Sequence, residues 1–179
     1  MSSRKRERIA LVGFMATGKT TFAKILARRL GWACVDCDAD IARRERRSIA
    51  RIFAEDGEAY FRRLESRALA RALKHRNAVV ATGGGAVIAA RNRRLLARAS
   101  FVVWMRSPLA DVLKRTAKKK DRPLLNAADR AGAARKLWKK RAPLYAACAD
   151  ARVTTISRAD LEKKAGPLLK KHGFTTRRK

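Results

Sequence analysis

The run Gly13-Phe14-Met15-Ala16-Thr17-Gly18-Lys19-Thr20 has the spacing G-x-x-x-x-G-K-[ST]. It stands between an apolar segment, Ile9-Ala10-Leu11-Val12, and a segment of helical period from Thr20 to Leu30. Strand, glycine turn, helix is the order in which backbone N–H groups can wrap a phosphate while the helix start adds the positive end of its dipole. In such a loop Lys19 reaches the β- and γ-phosphates and Thr20 offers a hydroxyl to Mg2+. Ala16, Thr17, Gly18, Lys19, Thr20 and Thr21 are therefore the candidate nucleotide-binding residues, with a nucleotide and Mg2+ as the implied ligands. The plain alternative, a chance match in an ordinary glycine turn, leaves the flanking strand and helix unexplained.

A loop of this kind needs a parallel sheet to carry it. Candidate strands at Arg8–Val12, Trp32–Asp36, Ala78–Ala81, Phe101–Met105 and Arg152–Ile156 alternate with helical segments. That alternation implies an α/β fold, a parallel sheet covered by helices. Ile49, Ile52 and Phe53, then Phe61, Leu64, Ala68, Leu69 and Leu73, keep the three- and four-residue spacing of one apolar helix face and read as core. A helix is predicted from Pro108 to about Ala117, with Ser107 as its start signal, and another from Ala131 to Arg141. Between them Lys118-Lys119-Lys120-Asp121-Arg122-Pro123 is too charged to be buried and reads as a mobile loop. The basic ends, 1–6 and 175–179, read as frayed tails. With 179 residues and 47% hydrophobic composition, residues 1–179 make one domain.

Lys and Arg number 45 against 15 Asp and Glu, a formal net charge of +30, which attracts polyanions. The readings are nucleic acid, an anionic membrane, anionic small substrates, or simply a solvated surface. Aromatics are only 6% and basic residues lie along every helix, so nucleic-acid binding is expected only as incidental electrostatic association. The longest apolar stretch, Ile9–Ala16, is far shorter than the roughly 20 residues that cross a bilayer. No apolar signal region follows MSSRKRER, so a cytoplasmic protein without a membrane partner is expected. Cys34, Cys37 and Cys148 lack the second pair or nearby histidines that zinc would want, and read as three free thiols.

A magnesium ion on a nucleotide calls for a carboxylate nearby. Asp36, at the C-terminal edge of the second strand, shares the rim of the sheet with the phosphate loop, and Asp38 lies two residues on. One can hold the metal's water shell while the other takes a proton from an attacking hydroxyl; the alternative is a pair of helix caps before Ile41. Asp40 falls in that helix's first turn. Elsewhere Arg62 and Glu65 are three apart on one helical face, and Thr82-Gly83-Gly84-Gly85 follows the third strand, where backbone can approach a ligand closely. Arg122 and Arg141 complete a set of guanidinium groups.

In this order the segments closely resemble shikimate kinase. They are the phosphate loop, Asp36-x-Asp38, Ser48-Ile49-x-x-Ile52-Phe53-x-x-x-Gly57-Glu58-x-x-Phe61-Arg62-x-x-Glu65, the triple glycine, Arg122-Pro123-Leu124-Leu125 and Arg141-x-Pro143-Leu144-Tyr145, which together span nearly the whole chain. The resemblance implies the nucleoside-monophosphate-kinase type of P-loop fold, a three-layer arrangement with a five-stranded parallel sheet of order 2-3-1-4-5. It also implies a substrate-binding region at about 37–65 and a lid at about 117–128. The implied reaction transfers the ATP γ-phosphoryl group to the 3-hydroxyl of shikimate, giving shikimate 3-phosphate and ADP in chorismate and aromatic amino acid biosynthesis. The same resemblance makes Arg62 and Arg141 the clamp on the shikimate carboxylate, with Gly83, Gly84 and Gly85 close to the ring. It makes Asp38 the base and a ring-hydroxyl ligand, and Asp36 and Thr20 the magnesium residues. Arg122 becomes the lid arginine over the phosphates, and Arg115 and Arg158 become nucleotide contacts. A monomer is expected.

Two departures stand out: Ala16-Thr17 where the family often has Gly-x, and the lid run Lys118-Lys119-Lys120. Among rivals, a gluconate or nucleotide kinase on this fold leaves Arg62 and Arg141 without a carboxylate. A nucleic-acid-binding or regulatory protein on a kinase fold has no need of Asp38 or Arg122.

Overall fold

The computed structural model describes residues 7–116 and 129–176. Five parallel strands, β1 (Arg8–Gly13), β2 (Ala33–Asp36), β3 (Ala78–Ala81), β4 (Phe101–Arg106) and β5 (Ala151–Thr154), form one sheet of order β2-β3-β1-β4-β5. The central strand β1 pairs Leu11 with Ala81 of β3 and with Val103 of β4. A strand buried on both faces must be apolar at every position, and Ile9 to Val12 are fully buried. Its side chains divide between two cores. Ile9 and Leu11 pack under α1 (Lys19–Leu30) and α7 (Arg158–Lys171), while Ala10 and Val12 pack under α2 (Cys37–Glu45), α3 (Ile49–Ala72), α4 (Ala90–Ala99), α5 (Leu109–Thr116) and α6 (Arg130–Cys148). The result is the three-layer α/β fold with the expected strand order.

Four helices differ from the sequence reading. The apolar face predicted as continuous from Ile49 to Leu73 is broken at Gly57, whose φ of 76° and ψ of 174° interrupt α3; side chains avoid that region, which is essentially reserved for glycine. The helix expected to stop near Arg141 runs on to Cys148 through Pro143. A proline inside a helix loses one backbone hydrogen bond, but Tyr145 and Cys148 beyond it are buried in the core and hold the extension in place. Helices α4 and α7 carry arginines and lysines through their turns, which mask their period in the sequence. The lid span at 117–128, including Arg122 and the triple lysine, lies outside the described residues, as do the ends 1–6 and 177–179. All three cysteines are free, Cys34 exposed and Cys37 and Cys148 buried, and burial pushes the Cys37 thiol well up.

Helix α2 is tied to α3 chiefly through Asp40. Its carboxylate accepts from Arg43 and Arg44 on its own helix and from Arg71 of α3 at 2.7 Å. Burial pushes the Asp40 carboxyl up, but the hydrogen bonds and charges of Arg71 and Arg44 outweigh it and hold it below its ordinary value. The stabilisation is therefore present above pH about 4, the unfolded value, and is lost as pH falls through the lower folded value. Asp40→Asn should lower the unfolding free energy by about 1 kcal/mol at pH 7. Urea unfolding of both proteins should show that gap closing as pH falls below about 4; a gap independent of pH would contradict the ion pair.

Candidate active site

The phosphate loop joins β1 to α1 at the C-terminal rim of the sheet. Thr17, 1% exposed, donates to the carbonyl of Phe14 and holds the loop's curvature. The Lys19 ammonium lies over the same loop, 3.0 Å from the Gly13 carbonyl and 2.8 Å from that of Phe14. Ala16 adopts φ 56°, a left-handed conformation that disfavours any side chain by about 1 kcal/mol relative to glycine, so the Ala16-Thr17 departure is accommodated with some strain. A cleft of about 560 Å3 opens above the loop, and 16–21, Asp36, Asp38, Gly84, Arg115 and Arg158 all line it. Residues singled out from five separate stretches of sequence are thus brought to one cleft. Arg115 also donates to the carbonyls of Ala16 and Ile156, pinning the loop to the end of β5.

Asp36 ends β2 and serves two neighbours. One carboxylate oxygen accepts from the N–H groups of Asp38 and Ala39, capping α2, and the other accepts from the Thr20 hydroxyl at 2.7 Å. The capping role weighed for the pair therefore falls to Asp36, and Asp38 sits in the first turn of α2 with its side chain turned to the cleft.

Beyond the cleft the triple glycine turn follows β3. A methyl group built on Gly83 would lie 2.3 Å from Oε1 of Glu65 and 2.8 Å from Oδ1 of Asp38; one on Gly85 would lie 2.0 Å from Nη1 of Arg62. Any larger residue would force these side chains away, so the glycines set how closely Asp38, Glu65 and Arg62 converge. Gly84 faces the other way, with Met15 N of the phosphate loop 3.4 Å from its would-be Cβ. Arg62 is gripped by two carboxylates, Glu65 at 2.8 Å and Glu58 at 2.7 Å. Burial pulls its guanidinium down, but the two carboxylates outweigh that and raise it. Burial pushes the Glu65 carboxyl up, only partly offset by Arg62.

Arg141 is 2% exposed. Its Nη1 lies 3.5 Å from the Gly84 carbonyl, its Nε has no hydrogen-bond partner, and no ion pair engages it among the described residues. Burial, with Arg62 adding to it, lowers its affinity for a proton. A buried guanidinium whose close neighbours are the Tyr145 hydroxyl and the Gly84 carbonyl, with no paired carboxylate among the described residues, is costly to keep and fits a site made for an anion. The sequence reading names Tyr145 in the segment Arg141-x-Pro143-Leu144-Tyr145 but gives it no role; one helical turn beyond Arg141, its hydroxyl donates to the Gly84 carbonyl at 2.5 Å, and burial pushes that hydroxyl up to about 12. The only signal was its place four residues after Arg141 on one helix face. Arg122 lies outside the described residues.

A family model described as shikimate kinase matches residues 15–170. The chain is 42% identical to shikimate kinase of Ruegeria pomeroyi over 76% of its length and 70% of the relative's. It is also 42% identical to that of Persephonella marina over 82% and 88%. Among solved structures, shikimate kinase from Acinetobacter baumannii in complex with shikimate superposes with a TM-score of 0.88 at 36% identity, covering 93% of this chain and 92% of that one. The Aquifex aeolicus enzyme superposes with 0.79 at 32% identity over 93% and 98%.

Removing the hydroxyl that fixes the glycine turn tests this construction. Tyr145→Phe leaves the Gly84 carbonyl with only the long 3.5 Å contact from Arg141 in a buried place and should destabilise by about 1–2 kcal/mol. That corresponds to a fall of roughly 3–6 °C in Tm for a domain of this size. An unchanged melting curve would remove Tyr145 from the turn's support.

Proposed function

The chain belongs to the shikimate kinase family, ATP-dependent kinases that act on shikimate, and from that premise we propose how its own residues carry out the transfer. The reaction is ATP plus shikimate to ADP and shikimate 3-phosphate. The observation that carries the assignment of roles is Arg141, buried and with no carboxylate paired to it among the described residues. With Arg62 across the glycine turn it forms a pair of planar forks suited to a carboxylate, and the shikimate carboxylate supplies the missing anion. A neutral sugar acceptor would leave that charge uncompensated, and a regulatory or nucleic-acid-binding module would have no use for a buried cation.

With the carboxylate held there, the acceptor ring lies along Gly83, Gly84 and Gly85, and its hydroxyls face Asp38, which points into the nucleotide cleft. As the hydroxyl oxygen bonds to the γ-phosphorus and the bond to the ADP oxygen breaks, Asp38 takes the hydroxyl proton. Lys19 leaves its carbonyl partners to neutralise the transferring phosphoryl group, and backbone N–H groups of 16–21 hold the remaining phosphates. Arg158 and Arg115 border the nucleotide, and Arg122 is assigned the phosphates from the lid. Little covalent help is required, because this chemistry depends on positioning and charge neutralisation.

The paired Thr20 hydroxyl and Asp36 carboxylate are hard oxygen donors at the phosphate rim, which fits Mg2+. Among the described residues no cluster of three or more His, Cys, Asp or Glu could hold a metal alone, and Mg2+ characteristically shares its shell with phosphates and water. When bound, the ion would neutralise charge on the β- and γ-phosphates. No described helix is long and apolar enough to cross a membrane. Free cysteines and an ATP substrate support a cytoplasmic location, and the protein is assigned as a monomer.

Coupled ADP release with Mg-ATP, comparing shikimate, quinate, gluconate and no acceptor, tests the reading. Stimulation by shikimate alone is expected; no stimulation in protein that binds ATP would overturn it. Asp38→Asn should lower kcat by about 10^2–10^4 while ATP affinity stays within about threefold. Arg62→Ala should weaken shikimate binding far more than ATP binding, and equal effects on both would remove it from the carboxylate clamp.

A further inference from the structure

From Ser66 to Ala110, and again from Arg130 to Ala149, the chain contains no Asp or Glu. The fold brings these stretches together, because the second half of α3, all of α4 and all of α6 lie on one side of the sheet. Apart from Asp111 on α5, the acids on the helices of that layer lie on α2 and the first part of α3, where Asp40, Glu45, Glu55, Asp56, Glu58 and Glu65 engage Arg43, Arg44, Arg47, Arg51, Arg62 and Arg71. Between α3 and α4 runs a groove of about 410 Å3 edged by Arg63, Arg67, Arg91 and Arg98, with Ala70 and Leu95 between them. Arg63 and Arg67 are one helical turn apart, and Arg91 and Arg98 two turns apart, so the guanidinium groups form two facing rows. Arg67, Arg91 and Arg98 are exposed and none is paired with a carboxylate among the described residues. None of the four lines the nucleotide cleft.

We propose that this groove is a docking surface for nucleic acid, held by its phosphodiester backbone without regard to sequence. The charge is concentrated beyond the general excess of the chain, since Arg67, Arg91 and Arg98, none paired with a carboxylate among the described residues, repel one another across the groove until an anion lies between them, while Arg63 lies over the Tyr60 ring. Guanidinium forks match phosphate oxygens. A concave channel takes a chain rather than a flat bilayer, and the described exposed large hydrophobic residues, Trp138 and Ile156, lie outside the groove and offer it no membrane anchor. An acidic peptide would need apolar pockets to anchor its side chains, which a floor of Ala70 and Leu95 does not provide, whereas a phosphate backbone binds by counterion release alone. No aromatic side chain lines the groove, so bases are not stacked and sequence is not read.

Fluorescence anisotropy with a labelled 20-nucleotide uridine oligomer, from about 50 to 300 mM salt, tests this in the full chain. The triple variant R67A/R91A/R98A is compared with a control that removes equal charge from the opposite layer, K163A/K170A/K171A on α7. The groove variant should bind at least tenfold more weakly at about 100 mM salt, with a salt slope reduced by about 2, near 0.7 for each lost phosphate contact on a single strand. The control should lose less than threefold. Shikimate kinase activity, unchanged in both, reports that each is folded. Equal losses in the two variants, no binding by the parent, or displacement by polyglutamate as readily as by unlabelled oligomer would each overturn the proposal.

Discussion

The ion pair between Arg62 and the buried carboxylate of Glu65, pressed against Gly83 and Gly85 of the glycine turn, is the constraint from which the rest of the site follows. Glu65 is 1% exposed, and a carboxylate so placed is tolerable only with a cation at contact distance. The pair can reach that position because Gly83 and Gly85 present no side chain to it. The same turn closes on the phosphate loop through Gly84 and is held from below by Tyr145. One short segment after β3 thus fixes the distance between the phosphate end of the cleft and the guanidinium end, the quantity that in-line transfer depends on.

Charge is distributed accordingly. Arg62 is neutralised by Glu58 and Glu65, so it is oriented before any ligand arrives. Arg141 is buried with no such partner among the described residues, so an anion gains the full benefit of a water-poor setting there. Asp36 settles the geometry at the other end, capping α2 while holding Thr20, which places Asp38 in the first helical turn and aims it into the cleft. The phosphate loop, held by Thr17 and Arg115, meets this arrangement from the opposite side.

Much of this was legible in the sequence because the decisive residues are bound by local rules. The phosphate loop is recognisable from its own spacing and its neighbours, and β3 was read to the residue because an apolar run ends at Thr82-Gly83. Arg62 and Glu65 stand one helical turn apart and meet as that spacing requires. What escaped depends on contacts between distant segments. The continuation of α6 past Pro143 is decided by where Tyr145 and Cys148 are buried, and the double duty of Asp36 by the approach of Thr20 from another helix. The break at Gly57 was hidden because apolar residues keep helical spacing on both sides of it. The role of Tyr145 could not be read without knowing that Gly84 turns its carbonyl toward α6.

The basic character of the chain looks different once the layers are known. Along the sequence the cations are evenly spread, but the fold gathers most acids of the α2–α6 layer on α2 and the first part of α3 and leaves the described lining of the α3–α4 groove without any. The most direct measurement of the central claim is a double-mutant cycle on shikimate affinity, by titration, between Gly85→Ala and Arg62→Ala. If the turn works by seating Arg62, Gly85→Ala weakens binding at least tenfold in the parent, about 1.4 kcal/mol, and less than twofold once Arg62 is alanine. Equal losses in both backgrounds would contradict it, because the glycine would then act independently of the arginine it touches.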